Sequence, residues 1–157
     1  MLRLEGFVMR RFVLMLLVAL PLALAWLPAS AAAPLDLAPY KGKVVYLDFW
    51  ASWCKPCRQS FPWMNAMQKK YAGDLVVVAV NLDEVQADAA RFLKETPADF
   101  TVVYDPEGKS AEQYGIIGMP SSFVIGRDGQ VLKKHQGFFE DSPGKYEAEL
   151  REILGKQ

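Results

Sequence analysis

Residues 43–50 read KVVYLDFW, an almost unbroken apolar run rich in β-branched and aromatic residues, ending just before the first of only two cysteines in the 157-residue chain. A strand without polar alternation is buried on both faces, and a sheet buried on both faces needs helices above and below it. That segment alone restricts the domain to an α/β architecture. The elements that follow agree. A helix is expected from about Lys55 to Tyr71, with Gly73 beyond its end as a stop signal. LVVVAVN (75–81) is a second buried strand. Residues 83–95 place Val85, Ala89, Phe92 and Leu93 at helical spacing, and Pro97 closes that helix. FTVVY (100–104) is a third strand, followed by a short helix around Ser110 to Tyr114. SSFVI (121–125) and the segment 130–136 form a hairpin about Asp128-Gly129. A last helix runs from about Pro143 to Leu154, with Ser142 as its cap and proline at its first position. The expected fold is a mixed α/β sheet covered on both faces.

The amino terminus indicates the compartment. Arg10 and Arg11 precede an uncharged apolar run from Phe12 to Leu27 and then the small-residue stretch PASAAAP. This is the order of a secretory signal peptide, with the cut expected after Ala31. The domain reading is therefore a signal peptide at 1–31 and one domain at 32–157. The run is about sixteen residues, short of the roughly twenty that span a bilayer as a helix, so a cleaved signal is favoured over an uncleaved anchor. Loss of residues 1–31 removes three arginines and one glutamate, taking the chain from net zero to about minus two. Such a balance excludes a polybasic protein that binds nucleic acid or an anionic membrane surface. An exported chain works where disulfides persist.

In that setting the spacing of Cys54 and Cys57 carries chemistry. A structural disulfide stabilises mainly by closing a long loop, and this pair closes almost none. Cys54 falls where a buried strand gives way to a helix, so the unpaired amides and positive dipole end of that helix favour a thiolate. Lys55 adds positive charge, and Pro56 suits the first helical turn. Cys54 is thus the expected exposed nucleophile and Cys57 the partner that resolves a mixed disulfide. With a single histidine, His135, and no third cysteine, a four-ligand zinc site is disfavoured. His135, on a late strand beside two lysines, reads as a solvated edge residue.

Asp48 is anomalous within an apolar strand. A buried unpaired carboxyl is costly in its charged form, so its pKa should rise. Alternation places it on the side of Tyr46 and Trp50, from which it would take the proton of Cys57 as a general base; the competing reading is an aspartate satisfied at the strand end without catalytic duty. In GMPSSFVI (118–125), Pro120 directly precedes a strand and follows Met119, which leaves cis and trans forms of that peptide both open.

LDFWASWCKPC, followed some sixty residues later by GMPSSFVI, resembles the thioredoxin superfamily. The intervening VVVAVNLDEVQADAARFLKETPADFTVVYD resembles the extra helix and strand of exported TlpA/ResA-type thiol-disulfide oxidoreductases. The resemblance implies a thioredoxin fold with a central mixed β-sheet flanked by helices. It further implies Cys54 as nucleophile, Cys57 as resolving cysteine, Pro120 as a cis-proline beside the dithiol, and Asp48 as the buried acid. Trp53, Met119, Lys55 and Pro56 are the residues expected to meet substrate; Phe49 and Trp50 are expected to pack. Two positions depart from relatives: Ser60 stands where ResA-like members carry glutamate, and Ser121 where CcmG-like members do. The implied function is periplasmic reduction of protein disulfides. It needs no cofactor beyond the Cys54–Cys57 disulfide and no metal, and it would be recharged by a membrane electron donor of the DsbD or CcdA type. A thiol oxidase or isomerase using the same residues in reverse, and a copper-handling module drawing on Cys54, Cys57, His135 or Met119, are the alternatives.

Overall fold

The computed structural model describes residues 35–155; the expected signal peptide and its cleavage point lie outside the described residues. Five strands, β1 (Val44–Trp50), β2 (Leu75–Asn81), β3 (Thr101–Tyr104), β4 (Ser121–Ile125) and β5 (Val131–Gln136), form one sheet in the order β3-β2-β1-β4-β5. β1 runs parallel to β2, and β2 to β3, while β4 is antiparallel to both β1 and β5. Every residue of β1 is buried. Its central place explains the missing polar alternation. The thioredoxin fold expected from the motifs is present, including the extra helix and strand.

Helices α1 (Lys55–Lys70), α2 (Gln86–Glu95), α3 (Lys109–Gln113) and α4 (Ser142–Leu154) complete the chain. On one face of the sheet, Tyr46, Trp50, Val77 and Val124 pack with Phe61 and Met64 of α1, Phe92 of α2 and Leu150 of α4. The opposite face joins Leu47, Phe49, Val80 and Phe123 and is covered by Tyr40, Ala111 and Tyr114. Among the described residues, no helix is long and apolar enough to cross a membrane.

Three local expectations are corrected. α2 begins at Gln86 rather than at residue 83, because the Asp83 carboxylate turns inward to accept hydrogen bonds from Ser52. Ser142 is the first residue of α4, not its cap. The flanking Asp141 makes no side-chain cap, and Ser142 Oγ accepts from the Phe139 amide at 2.8 Å, which closes the preceding turn. His135 is not solvated: it is buried under α4, with the ring stacked on Tyr146 at 3.9 Å and Nε2 2.7 Å from Glu149. Edge strands are exposed as a rule, but here α4 crosses the last one.

The face that carries α1 is held by an aromatic cluster. Phe61 lies 4.9 Å from Trp50, 5.0 Å from Phe92 and 5.3 Å from Phe100, centroid to centroid. Truncating its fully buried ring leaves a cavity as well as losing transfer free energy. Phe61→Ala is expected to lower stability by about 3–5 kcal/mol, read as a lower urea midpoint with an unchanged slope.

Candidate active site

β1 ends at Trp50, whose carbonyl accepts from the Leu82 amide at 2.9 Å, and the chain turns through Ala51–Trp53. The turn is clamped from the neighbouring strand end. Ser52 donates from both its amide and its hydroxyl to Asp83 at 2.9 Å, and Asn81 Nδ2 donates to the same carboxylate at 2.7 Å. Asp83 therefore fixes the loop that delivers Cys54. It was not singled out in the sequence, where Asn81-Leu82-Asp83 after a buried strand is the only signal of it.

Cys54 is the N-cap of α1, with extended backbone (φ −78°, ψ 102°), and its Sγ accepts from the Cys57 amide at 3.3 Å. The two cysteines are joined as a disulfide, S–S 2.00 Å. Cys57 is fully buried, and Cys54 retains only 4% exposure, less than its expected role suggested. The covering comes from the motif itself, for Cys54 packs into the cluster of Trp50, Phe61 and Cys57. An orphan amide of the first helical turn thus already points at the Cys54 sulfur. Amide donors and the positive end of α1 stabilise negative charge there once the disulfide opens.

The other predicted residues gather at the same end of β1. The Met119–Pro120 peptide is cis. Ser121 pairs with Phe49, so Pro120 sits beside the strand end that leads to Cys54, and Met119 packs against the cluster holding both cysteines. Lys55 is exposed and Pro56 half-buried on the first turn of α1. Trp53 projects into solvent at 73% exposure. A cleft of about 170 Å³ lies beside it, lined by Ser52, Arg58, Phe92 and Glu95 among others. Arg58 stacks over the Phe92 ring at 4.5 Å and pairs with Glu95 at 2.9 Å. Phe49 and Trp50 are fully buried, as expected of packing residues. Ser60 donates its hydroxyl to the Cys57 carbonyl at 3.0 Å, a structural bond in place of an acid.

Asp48 lies on the cysteine-bearing face in the middle of β1, 1% exposed, and its Oδ2 has no hydrogen-bond partner. Burial pushes its pKa well above the ordinary carboxylate range. A dithiol at a helix start, with a buried carboxyl of raised proton affinity on the same face, can exchange disulfides and move the accompanying proton.

The Redoxin family model matches residues 19–152. The chain belongs to the Redoxin family. Thiol-disulfide oxidoreductase ResA of Bacillus thuringiensis subsp. konkukian (strain 97-27) is 36% identical over 120 residues, covering 76% of this chain and 68% of that protein. ResA of Bacillus subtilis (strain 168) is 34% identical, covering 69% of this chain and 61% of its own length. Among solved structures, a thiol:disulfide interchange protein DsbE from Chlorobium tepidum superposes with TM-score 0.75 at 53% identity, covering 77% and 86% of the two chains. StoA from Bacillus subtilis gives TM-score 0.60 at 29% identity over 69% and 84%. This Redoxin is a TlpA/ResA-type member of the thioredoxin superfamily and a thiol-disulfide oxidoreductase carrying a Cys54–Cys57 pair.

The raised proton affinity of Asp48 has a consequence for stability. Unfolded, this carboxyl ionises near pH 4 or so, whereas folded it holds its proton to higher pH. Between the two values the unfolded state binds fewer protons, so stability falls as pH rises. Asp48→Asn removes this dependence. Urea unfolding of the oxidised protein should show the variant gaining on the parent as pH rises through the range above about 4, by up to about 1.4 kcal/mol per pH unit, until folded Asp48 ionises. A constant difference across that range would mean that folded Asp48 is ionised.

Proposed function

We propose that this protein is a periplasmic reductase of protein disulfides, working through Cys54 as nucleophile and Cys57 as resolving cysteine. The observation that carries the reading is the junction of a helix-start disulfide with an unpartnered buried carboxyl on the same sheet face. The order of charged, apolar and small residues at the amino terminus supports export.

The reduced protein begins with the Cys54 thiolate, held by the Cys57 amide and the α1 dipole. It attacks one sulfur of a substrate disulfide; an S–S bond forms to Cys54 while the substrate S–S bond breaks, and the first substrate thiolate leaves and takes up a proton. Where Asp48 is ionised, the Cys57 thiol gives its proton to that carboxylate, and the resulting thiolate attacks Cys54 Sγ. This breaks the mixed disulfide, forms Cys54–Cys57 and releases the second substrate thiolate, to which Asp48 returns a proton. Two electrons have moved from the protein to the substrate. Trp53, Lys55 and Pro56, next to Cys54 in the chain, and Met119, packed on the cysteine-bearing cluster, meet the incoming substrate, with Pro120 beside them. A membrane dithiol donor of the DsbD or CcdA type restores the reduced form, since exported glutathione or NADPH cannot be assumed.

Direction depends on the reduction potential. Equilibration against thiol buffers is expected to place Cys54–Cys57 near the thioredoxin end, roughly −270 mV; a value near DsbA, roughly −120 mV, would make the protein an oxidant instead. Cys54→Ser is expected to abolish insulin disulfide reduction, and Cys57→Ser to accumulate mixed disulfides visible on non-reducing gels. Full turnover by Cys54→Ser would end the assignment. Asp48→Asn should slow turnover more at neutral than at alkaline pH, where the Cys57 thiol ionises unaided.

A further inference from the structure

Three strands each contribute one polar residue to a single row across the sheet. Asp48 on β1 pairs in register with Ser122 on β4, and Ser122 pairs with His135 on β5. Directly opposed residues share a face, and all three side chains are buried. Tyr46 donates its hydroxyl to Ser122 Oγ at 2.8 Å, Ser122 Oγ lies 3.4 Å from His135 Nδ1, and His135 Nε2 lies 2.7 Å from Glu149 Oε2 on α4. Apart from Asp48, no member of this row enters the mechanism above.

The direction of its hydrogen bonds follows from the chemistry of its ends. A carboxylate only accepts, so Nε2 carries the proton of the bond to Glu149. The neutral imidazole then presents Nδ1 as an acceptor, and the hydroxyl it accepts from is that of Ser122. Ser122 in turn accepts from Tyr46. Every hydroxyl hydrogen of the row is committed away from Asp48, and Asp48 Oδ2 is without a partner. We propose that the His135–Glu149 pair is a positioning device for the dithiol centre: by fixing His135 Nδ1 as an acceptor, it holds the Ser122 hydroxyl away from Asp48 and leaves that carboxyl without a donor.

The consequence for catalysis rests on the reading of Asp48 as the base for Cys57; the effect on Asp48 itself does not. A hydrogen bond to a carboxylate favours its charged form and makes it a weaker base. Without the pair, the Ser122 side chain is free to rotate and donate its hydroxyl to its cross-strand neighbour Asp48, which lowers the basicity of that carboxyl. The titratable groups on this face include Tyr46 and Asp48 of β1, Tyr146, Glu147 and Glu149 of α4, Tyr71 just past α1, and the cysteine pair at its start. Lys133 and Lys134 flank His135 on β5, and the Lys134 ammonium lies over the Phe123 ring on the other face.

The test follows the side-chain carboxyl carbon-13 signal of Asp48 against pH in the oxidised full chain. His135→Phe keeps a ring against Tyr146 but removes both nitrogens and frees the Ser122 hydroxyl; the Asp48 midpoint is expected to fall by about one pH unit. Glu149→Ala, a change in a half-buried residue of α4, unpins the imidazole and should move the midpoint the same way. On a Ser122→Ala background neither substitution should move it. An unchanged midpoint in both single variants overturns the proposal, as does an equal fall without Ser122, which would trace the shift to charge rather than to the hydroxyl. If His135→Phe does not fold, Glu149→Ala with and without Ser122 decides alone. A fallen midpoint together with a pH-independent effect of Asp48→Asn on turnover would uphold the positioning of Asp48 and overturn its role as base.

Discussion

The burial of β1 on both faces is the constraint on which the rest of the molecule depends. A central strand has neighbours on each side and helices above and below, so all of its side chains must be accommodated in the two cores. Parallel pairing with β2 brings the carboxyl ends of both strands to one edge, and there the Asp83 clamp fastens the turn into α1. The antiparallel pairing with β4 brings Pro120 to that same edge. Chemistry at Cys54 is thus a product of where β1 stops. Its sulfur meets an amide of the helix that the buried strand has aimed.

The same burial leaves an uncompensated carboxyl in the site. Placing a carboxyl in the middle of such a strand denies it water, and the opposed Ser122 has its hydroxyl engaged with Tyr46 and His135. A carboxyl so placed holds its proton because its charged form is disfavoured, not because a nearby charge supplies one. Ser60, where ResA-like members carry an acid, bonds the Cys57 carbonyl instead and leaves Asp48 as the buried acid on the face of the dithiol. The cost of desolvating Asp48 is offset by packing elsewhere on that face, including the Trp50–Phe61–Phe92 cluster.

Most of the elements were legible because their signals are local. Continuous β-branched runs marked β1 and β2, helical spacing marked α2, and Asp128-Gly129 marked the β4–β5 turn. The motif residues at the ends of β1 and β4 lie beside one another, and Asp48 shares the face of Tyr46 and Trp50 through strand alternation. The misses share one cause. Ser142 and His135 were read from their immediate neighbours and Asp83 was passed over, while the partners that decide their roles lie elsewhere: a Phe139 amide in the preceding turn, Glu149 on the helix over His135, and Ser52 across a strand end. Two lysines beside His135 argued for water. The helix above it argued otherwise.

What periodicity and composition settle is which residues leave water, because hydrophobic transfer depends on the side chain and its place in a local repeat. The strand, the helix start beneath Cys54 and the closely spaced thiols follow from residues within about fifteen positions of one another. Which buried polar groups meet is a different matter. Tyr46 and Ser122 are 76 residues apart, and their contact exists only because β4 pairs with β1 in one register and not the next. A slip of one residue would send Ser122 and His135 to opposite faces from Asp48. That register is chosen by the packing of the whole sheet, so the hydrogen-bonded row beside the dithiol belongs to the tertiary structure alone.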